Sequence, residues 1–198
     1  MVHEIANLVN CYLRRQEWIE EEEIEISQYG LELIISSGIG FLLIILIGIV
    51  MGKGIEMLVY LVVLVSLRSF TGGYHAKTYL RCNILLILNS LVVLYMLNLL
   101  HSHISNVIPV SLVLGIGILE KYAPVEHVNK RICKEDKSKL RRIAQGCYLL
   151  YSFLSWIFCQ KGMINMGIII TATQCEVLLF IIISIIEGGE KNREDNNW

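Results

Sequence analysis

Along most of the chain the apolar residues run on without the regular polar relief that a half-buried helix or strand shows. Six such runs stand out, at 31–51, 55–67, 83–100, 104–119, 143–159 and 163–186. A bilayer's hydrocarbon core is about 30 Å thick and takes roughly 20 helical residues to cross. Within it, only helices and closed barrels satisfy their own backbone. The pattern predicts an all-α integral membrane protein with about six transmembrane helices, the last two forming a hairpin. The second run is short, since thirteen residues rise only about 20 Å. Either its helix continues through Phe70, or segment 68–82 dips into the interface as a re-entrant turn.

Before the first run the pattern changes to helical spacing. Within residues 2–19, Ile5, Leu8, Val9, Tyr12 and Leu13 share one face, while Glu4, Arg14, Arg15 and Glu17 lie elsewhere. This predicts an amphipathic N-terminal helix, either interfacial and holding a substrate or partner at the membrane surface, or simply packed on the bundle. The first 30 residues are polar, with Glu20, Glu21, Glu22 and Glu23 consecutive. No cleavable signal peptide is expected there. The whole chain, 1–198, reads as one membrane domain: an N-terminal amphipathic part at 2–28, spans within 31–186, and a tail at 187–198. There is no internal repeat.

Composition agrees with this class. The residues are 55% hydrophobic and 18% charged, with a mean hydropathy of +0.58. Soluble globular, disordered, collagenous and coiled-coil classes are excluded. The net charge of −1 hides a segregation of charge: with the N-terminus inside, all 17 Lys and Arg except Lys53 and Lys161 fall on inner segments. By the positive-inside rule this orients six spans with both termini cytoplasmic. The six cysteines show no Cys-x-x-Cys pair, which favours free thiols over disulfides or zinc.

One polar insertion lies at membrane depth and holds both a histidine and a cysteine: Arg68-Ser69-Phe70-Thr71-Gly72-Gly73-Tyr74-His75-Ala76-Lys77-Thr78-Tyr79-Leu80-Arg81-Cys82. A cysteine nucleophile acts as its thiolate, and a histidine can supply the base or the cationic neighbour it needs. On one straight helix His75 and Cys82 would sit about 10 Å apart along the axis. The Gly72-Gly73 pair permits the positive φ angles of a sharp turn that would bring them together. If the third span begins near Cys82, its free N–H groups favour the thiolate and could hold an oxyanion. The plainer alternative is a polar loop with an incidental histidine and a cysteine capping a span. Arg68, Lys77 and Arg81 stand near the nucleophile, where they could lower its pKa, hold a carboxylate or anchor the span at the headgroups.

The rival pair His127 and Cys133 lies in the basic loop 120–142, which cannot exclude water. The other cysteines sit in apolar runs, where inert packing is the default. Glu176 lies about 15 Å inside the last span and must face the bundle interior or water. That is deep for orienting His75, and Glu126 is at a more suitable depth. His101 and His103 flank an outer turn, out of reach of segment 68–82. No metal-binding cluster is evident, and no cofactor is expected.

The run Arg68…Gly73-Tyr74-His75-Ala76…Cys82, followed by Tyr122-Ala123-Pro124-Val125, resembles the accessory gene regulator protein B (AgrB) family of bacterial quorum sensing. The likeness covers essentially the whole chain. One departure is Asn129-Lys130-Arg131, where the family often continues Asn-Lys-Pro. The resemblance implies a membrane cysteine endopeptidase with His75 and Cys82 as the catalytic pair, supported by Arg68 and Gly73. It also implies a substrate: a small precursor peptide with an amphipathic leader, a signal core and an acidic C-terminal tail. Lys130, Arg131, Lys134, Lys137, Lys139, Arg141 and Arg142 would then form a receptor for that tail, although any cytoplasmic loop is expected to be basic. The other expected partners are membrane lipids, with a homodimer left open and no nucleic acid. Two other classes stay open, a small peptide exporter and a non-enzymatic membrane adaptor. An exporter would carry paired broken helices around a midplane site.

Overall fold

A computed structural model describes residues 2–16, 18, 24–72, 79–125 and 134–195, and places almost all of them in seven helices. These are α1 (Val2–Arg15), α2 (Ile24–Val50), α3 (Gly54–Thr71), α4 (Tyr79–Leu100), α5 (Ile104–Tyr122), α6 (Lys134–Gln160) and α7 (Ile164–Asp195). Five of them, α2, α3, α4, α5 and α7, are long and apolar enough to cross a membrane. The sixth expected span falls on α6, which has the length but is more polar. Its Ser152 and Ser155 hydroxyls are turned onto α7, where they are hydrogen-bonded.

α7 is the centre of the bundle and packs on α3, α4, α5 and α6. Its apolar window is 61% buried, against 22% for α2 and for α4, so α7 is enclosed while those two face outward. Residues 167–174 are buried without a break. The buried positions of α7 include Thr171, Thr173, Gln174 and Glu176, polar groups that lipid cannot satisfy and that neighbouring helices must. The outer surfaces of α2, α4 and α5 expose Ile34, Leu42, Leu88, Val92 and Val113, as a bilayer-facing belt does.

Close approaches fix the packing. Ser36, Gly40, Ile44 and Gly48 are the buried residues of α2 and recur every fourth position. A Cβ on Gly40 would lie 2.8 Å from Asn83 Oδ1 of α4, and one on Gly48 2.8 Å from Met57 Cβ of α3. Small residues at this spacing let helices approach where lipid offers no hydrophobic drive. On the other side, the Tyr148 ring of α6 lies over Gly115 of α5, and its hydroxyl donates to the Ser111 carbonyl at 3.1 Å. Between α6 and α7, Gln174 Nε2 donates to the Tyr148 carbonyl at 2.8 Å and to Ser152 Oγ at 3.0 Å.

The short second run resolves as the first of its two alternatives. α3 continues through Phe70 to Thr71, and its eighteen residues rise about 27 Å. Arg68 does not end the span, because its side chain turns into the bundle.

α1 packs on α2 with its polar face. Asn10 is buried and donates to the Ile24 carbonyl at 3.1 Å and to Gln28 at 3.3 Å, while His3 Nδ1 lies 2.6 Å from Glu32 Oε1. The apolar face expected from sequence is turned away from the protein, with Leu8 72% and Tyr12 59% exposed. That orientation suits an interfacial helix whose apolar side rests in lipid.

Turns at 51–53, 101–103 and 161–163 close one end of the bundle. The starts of α2, α4 and α6 and the ends of α3, α5 and α7 form the other. Lys53 and Lys161 are at the first end, whereas Arg68, Arg81, Lys121, Lys137, Lys139, Arg141 and Arg142 are at the second.

Candidate active site

The described part of α4 runs from Tyr79, and Cys82 lies near that end of it. The Cys82 thiol is free and half-buried. The next residue ties this stretch of α4 to α2: Asn83 Nδ2 donates to the Ser36 carbonyl at 3.2 Å and to Ser36 Oγ at 3.3 Å. Cys82 thus sits beside a point where α4 is pinned to α2. Arg81, just before it, is exposed.

His75, Gly73 and Lys77 lie outside the described residues, as do Lys130, Arg131, Glu126, His127 and Cys133. The segment's two flanks, Arg68–Gly72 and Tyr79–Cys82, are described. Gly72 has φ +68°, the left-handed conformation that the glycine pair allowed for.

Arg68 is half-buried, and its side chain turns toward α7. Its guanidinium carbon lies 5.1 Å from the centre of the Phe180 ring of α7, a cation–π contact. Its charge also acts on Tyr60 and Glu176. Glu176 is 9% exposed, inside the bundle as the span arithmetic required. Its Oε1 accepts from the Tyr60 hydroxyl at 3.1 Å, and its Oε2 has no hydrogen-bond partner among the described residues. A buried carboxylate is costly unless it is paired, and Tyr60 with the Arg68 charge meets part of that cost.

Sequence reasoning missed a junction beside the candidate segment. After α5 the chain turns back through Ala123, Pro124 and Val125, with a cis Ala123–Pro124 bond. Val125 bridges Gly72 in parallel, and the Val125 amide donates to the Thr71 carbonyl at 2.9 Å. A Cβ on Gly72 would lie 2.5 Å from the Val125 carbonyl oxygen. From α6, Arg141 Nε donates to the Ala123 carbonyl at 2.8 Å, and the same guanidinium lies 3.6 Å from Glu120. Glu120 also accepts from Gln145 at 2.7 Å. Arg141, counted in the sequence among cations for an acidic tail, is thus engaged within the protein. Arg142 turns back on its own helix at Ser138, 3.4 Å away. The only sequence signals for this junction were Gly72 and the Tyr122-Ala123-Pro124 motif, and neither names its partner.

His101 and His103 stand at the opposite end of α4 from Cys82, about 28 Å along the helix. Cys147, Cys159 and Cys175 are half-buried within α6 and α7, and none of the described cysteines is in a disulfide. Among the described residues no group of His, Cys, Asp or Glu could hold a metal ion.

Comparison with known proteins agrees with the fold and the resemblance. The model of the family Accessory gene regulator B matches residues 5–186. An AgrB-like protein of Clostridium perfringens strain SM101 is 25% identical, covering 91% of this chain and 92% of the relative. A second, AgrB-like protein 2 of C. perfringens strain 13, is 26% identical with the same coverage. No solved structure matches. The family match spans the start of α4 with Cys82, the end of α3 with Arg68 and the junction at Val125, so the chain is a multi-pass membrane member of the accessory gene regulator B family, with a role in the accessory gene regulator system.

Proposed function

We propose that the chain is a cysteine endopeptidase that removes the acidic tail of a small signal precursor and passes the remaining peptide to ring closure. The observation that carries this reading is the position of Cys82: a free, half-buried thiol toward the end of the bundle where Lys and Arg gather.

In the proposed reaction, the Cys82 thiolate attacks the carbonyl at the end of the signal core. The C–N bond breaks, and His75, having taken the thiol proton, returns it to the leaving amine. The products are a thioester on Cys82 and the freed tail. A thiol or hydroxyl within the core then attacks the thioester, closes a thiolactone or lactone, and releases Cys82. Exchange of one thioester for another is nearly neutral in energy, so closing a thiolactone costs little once the acyl group is on sulfur. Water is kept from the thioester by the interface, which also raises the effective concentration of the internal nucleophile.

The acidic tail would be held by the basic residues near the start of α6, including Lys137 and Lys139, together with Lys130, Arg131 and Lys77. The segregation of Lys and Arg supports a cytoplasmic position for this end and for both termini. The test is capture of the intermediate. Protein in liposomes, mixed with a precursor whose core lacks its internal nucleophile, should gain the mass of the core on Cys82. The adduct should be removed by hydroxylamine. An adduct on any other residue, or none while tail is released, would defeat the reading.

A further inference from the structure

We propose that Arg141 is a positioning residue: by clamping the Ala123 carbonyl it holds the Thr71–Val125 junction, and so sets where the nucleophile's segment and the basic segment leave the bundle. This rests on the endopeptidase reading and extends it to residues outside the histidine–cysteine motif. The chain enters 73–78 from Gly72 and enters 126–133 from Val125, and these two residues are bridge partners. The junction is tight: Thr71 is fully buried and Ala123 is 1% exposed. Only glycine fits at position 72, with φ +68° and the Val125 carbonyl 2.5 Å from where a Cβ would be. A side chain from a third helix holds the turn after Ala123. Arg141 of α6 does so, with its planar guanidinium divided between the Ala123 carbonyl at 2.8 Å and Glu120 at 3.6 Å. Lysine offers a point charge in place of that fork and cannot reproduce both contacts.

The consequence concerns alignment more than affinity. The cations that would attract an acidic tail stay in place when Arg141 is lost. What changes is the placement of the scissile carbonyl relative to Cys82, and misplacement by about 1 Å can cost a hundredfold in rate. The test uses full-length protein in liposomes with a synthetic precursor, comparing wild type with R141Q and R141K. Both variants should lower kcat for tail release about tenfold or more, with KM within about threefold. Hydrogen exchange at the Val125 amide should also become faster in both, a readout that needs no substrate. A rise in KM with kcat retained would overturn the proposal, because Arg141 would then bind the tail itself. Unchanged protection at Val125 would overturn it as well. Tail release by C82A would defeat the endopeptidase reading instead, and the exchange measurement would still decide the clamp. If R141Q does not assemble in the membrane, R141K carries both measurements.

Discussion

The Val125 amide donates to the Thr71 carbonyl across 2.9 Å, joining the end of α3 to the turn that follows α5, fifty-four residues later in the chain. Gly72 is the residue that allows this contact. Replacing it with alanine would place a Cβ 2.5 Å from the Val125 carbonyl oxygen, in a backbone region that L-residues rarely adopt. Gly72→Ala should destabilise the protein by about 1–3 kcal/mol and abolish most precursor processing. A thermal unfolding scan in detergent, beside a processing assay, checks both. Unchanged stability would contradict the strained geometry.

The contact of α4 with α2 gives a second expectation. Asn83 hangs on Ser36, and Gly40 leaves room for it. Asn83→Leu leaves the buried Ser36 hydroxyl without this partner, and Gly40→Leu pushes α4 away, so each should lower stability by about 1–3 kcal/mol. Cys82 sits one residue from Asn83, so its alkylation by a small maleimide should become faster in both variants. An unchanged rate would show that the start of α4 is not held through Asn83.

Inside the bundle, Tyr60→Phe removes the donor to a Glu176 that is almost fully buried. The cost should be about 1–3 kcal/mol. Tyr60→Phe combined with Glu176→Leu should cost less than the sum of the two single changes, since the double variant leaves no carboxylate stranded. Full additivity would mean that the 3.1 Å contact carries no energy.

Much of this architecture was legible in the sequence because bilayer thickness sets helix length and apolar runs reveal it. The limits of that logic show at single residues. Arg68 marked the end of a span when read as a charge, yet its guanidinium stacks on Phe180, and no periodicity within α3 can announce a partner on α7. Glu176 was placed correctly in the interior by depth alone, while Tyr60, its hydrogen-bond donor, looked like any apolar-span tyrosine. Cys82 stood out because a thiol, a histidine and a glycine pair shared one polar insertion. Arg141 did not, since one cation among seven gives no sign of which contacts a carbonyl. Pairings between distant segments, such as Gly72 with Val125, follow from tertiary packing that local pattern does not encode.

Orientation can be tested on its own. Single cysteines placed at Lys161 or His101 in a cysteine-free background should react with a membrane-impermeant maleimide added to intact cells, and one placed at Lys137 should not. The reverse pattern would invert the topology drawn from the Lys and Arg distribution.

The central claim is that Cys82 carries out the cleavage. Co-expression with a precursor from a neighbouring reading frame of roughly fifty codons, followed by mass spectrometry of the products, tests it most directly. Wild type should yield a tail-free cyclic peptide, and C82A and H75A should leave the precursor intact while the protein remains in the membrane. A processed cyclic peptide from C82A would contradict the account.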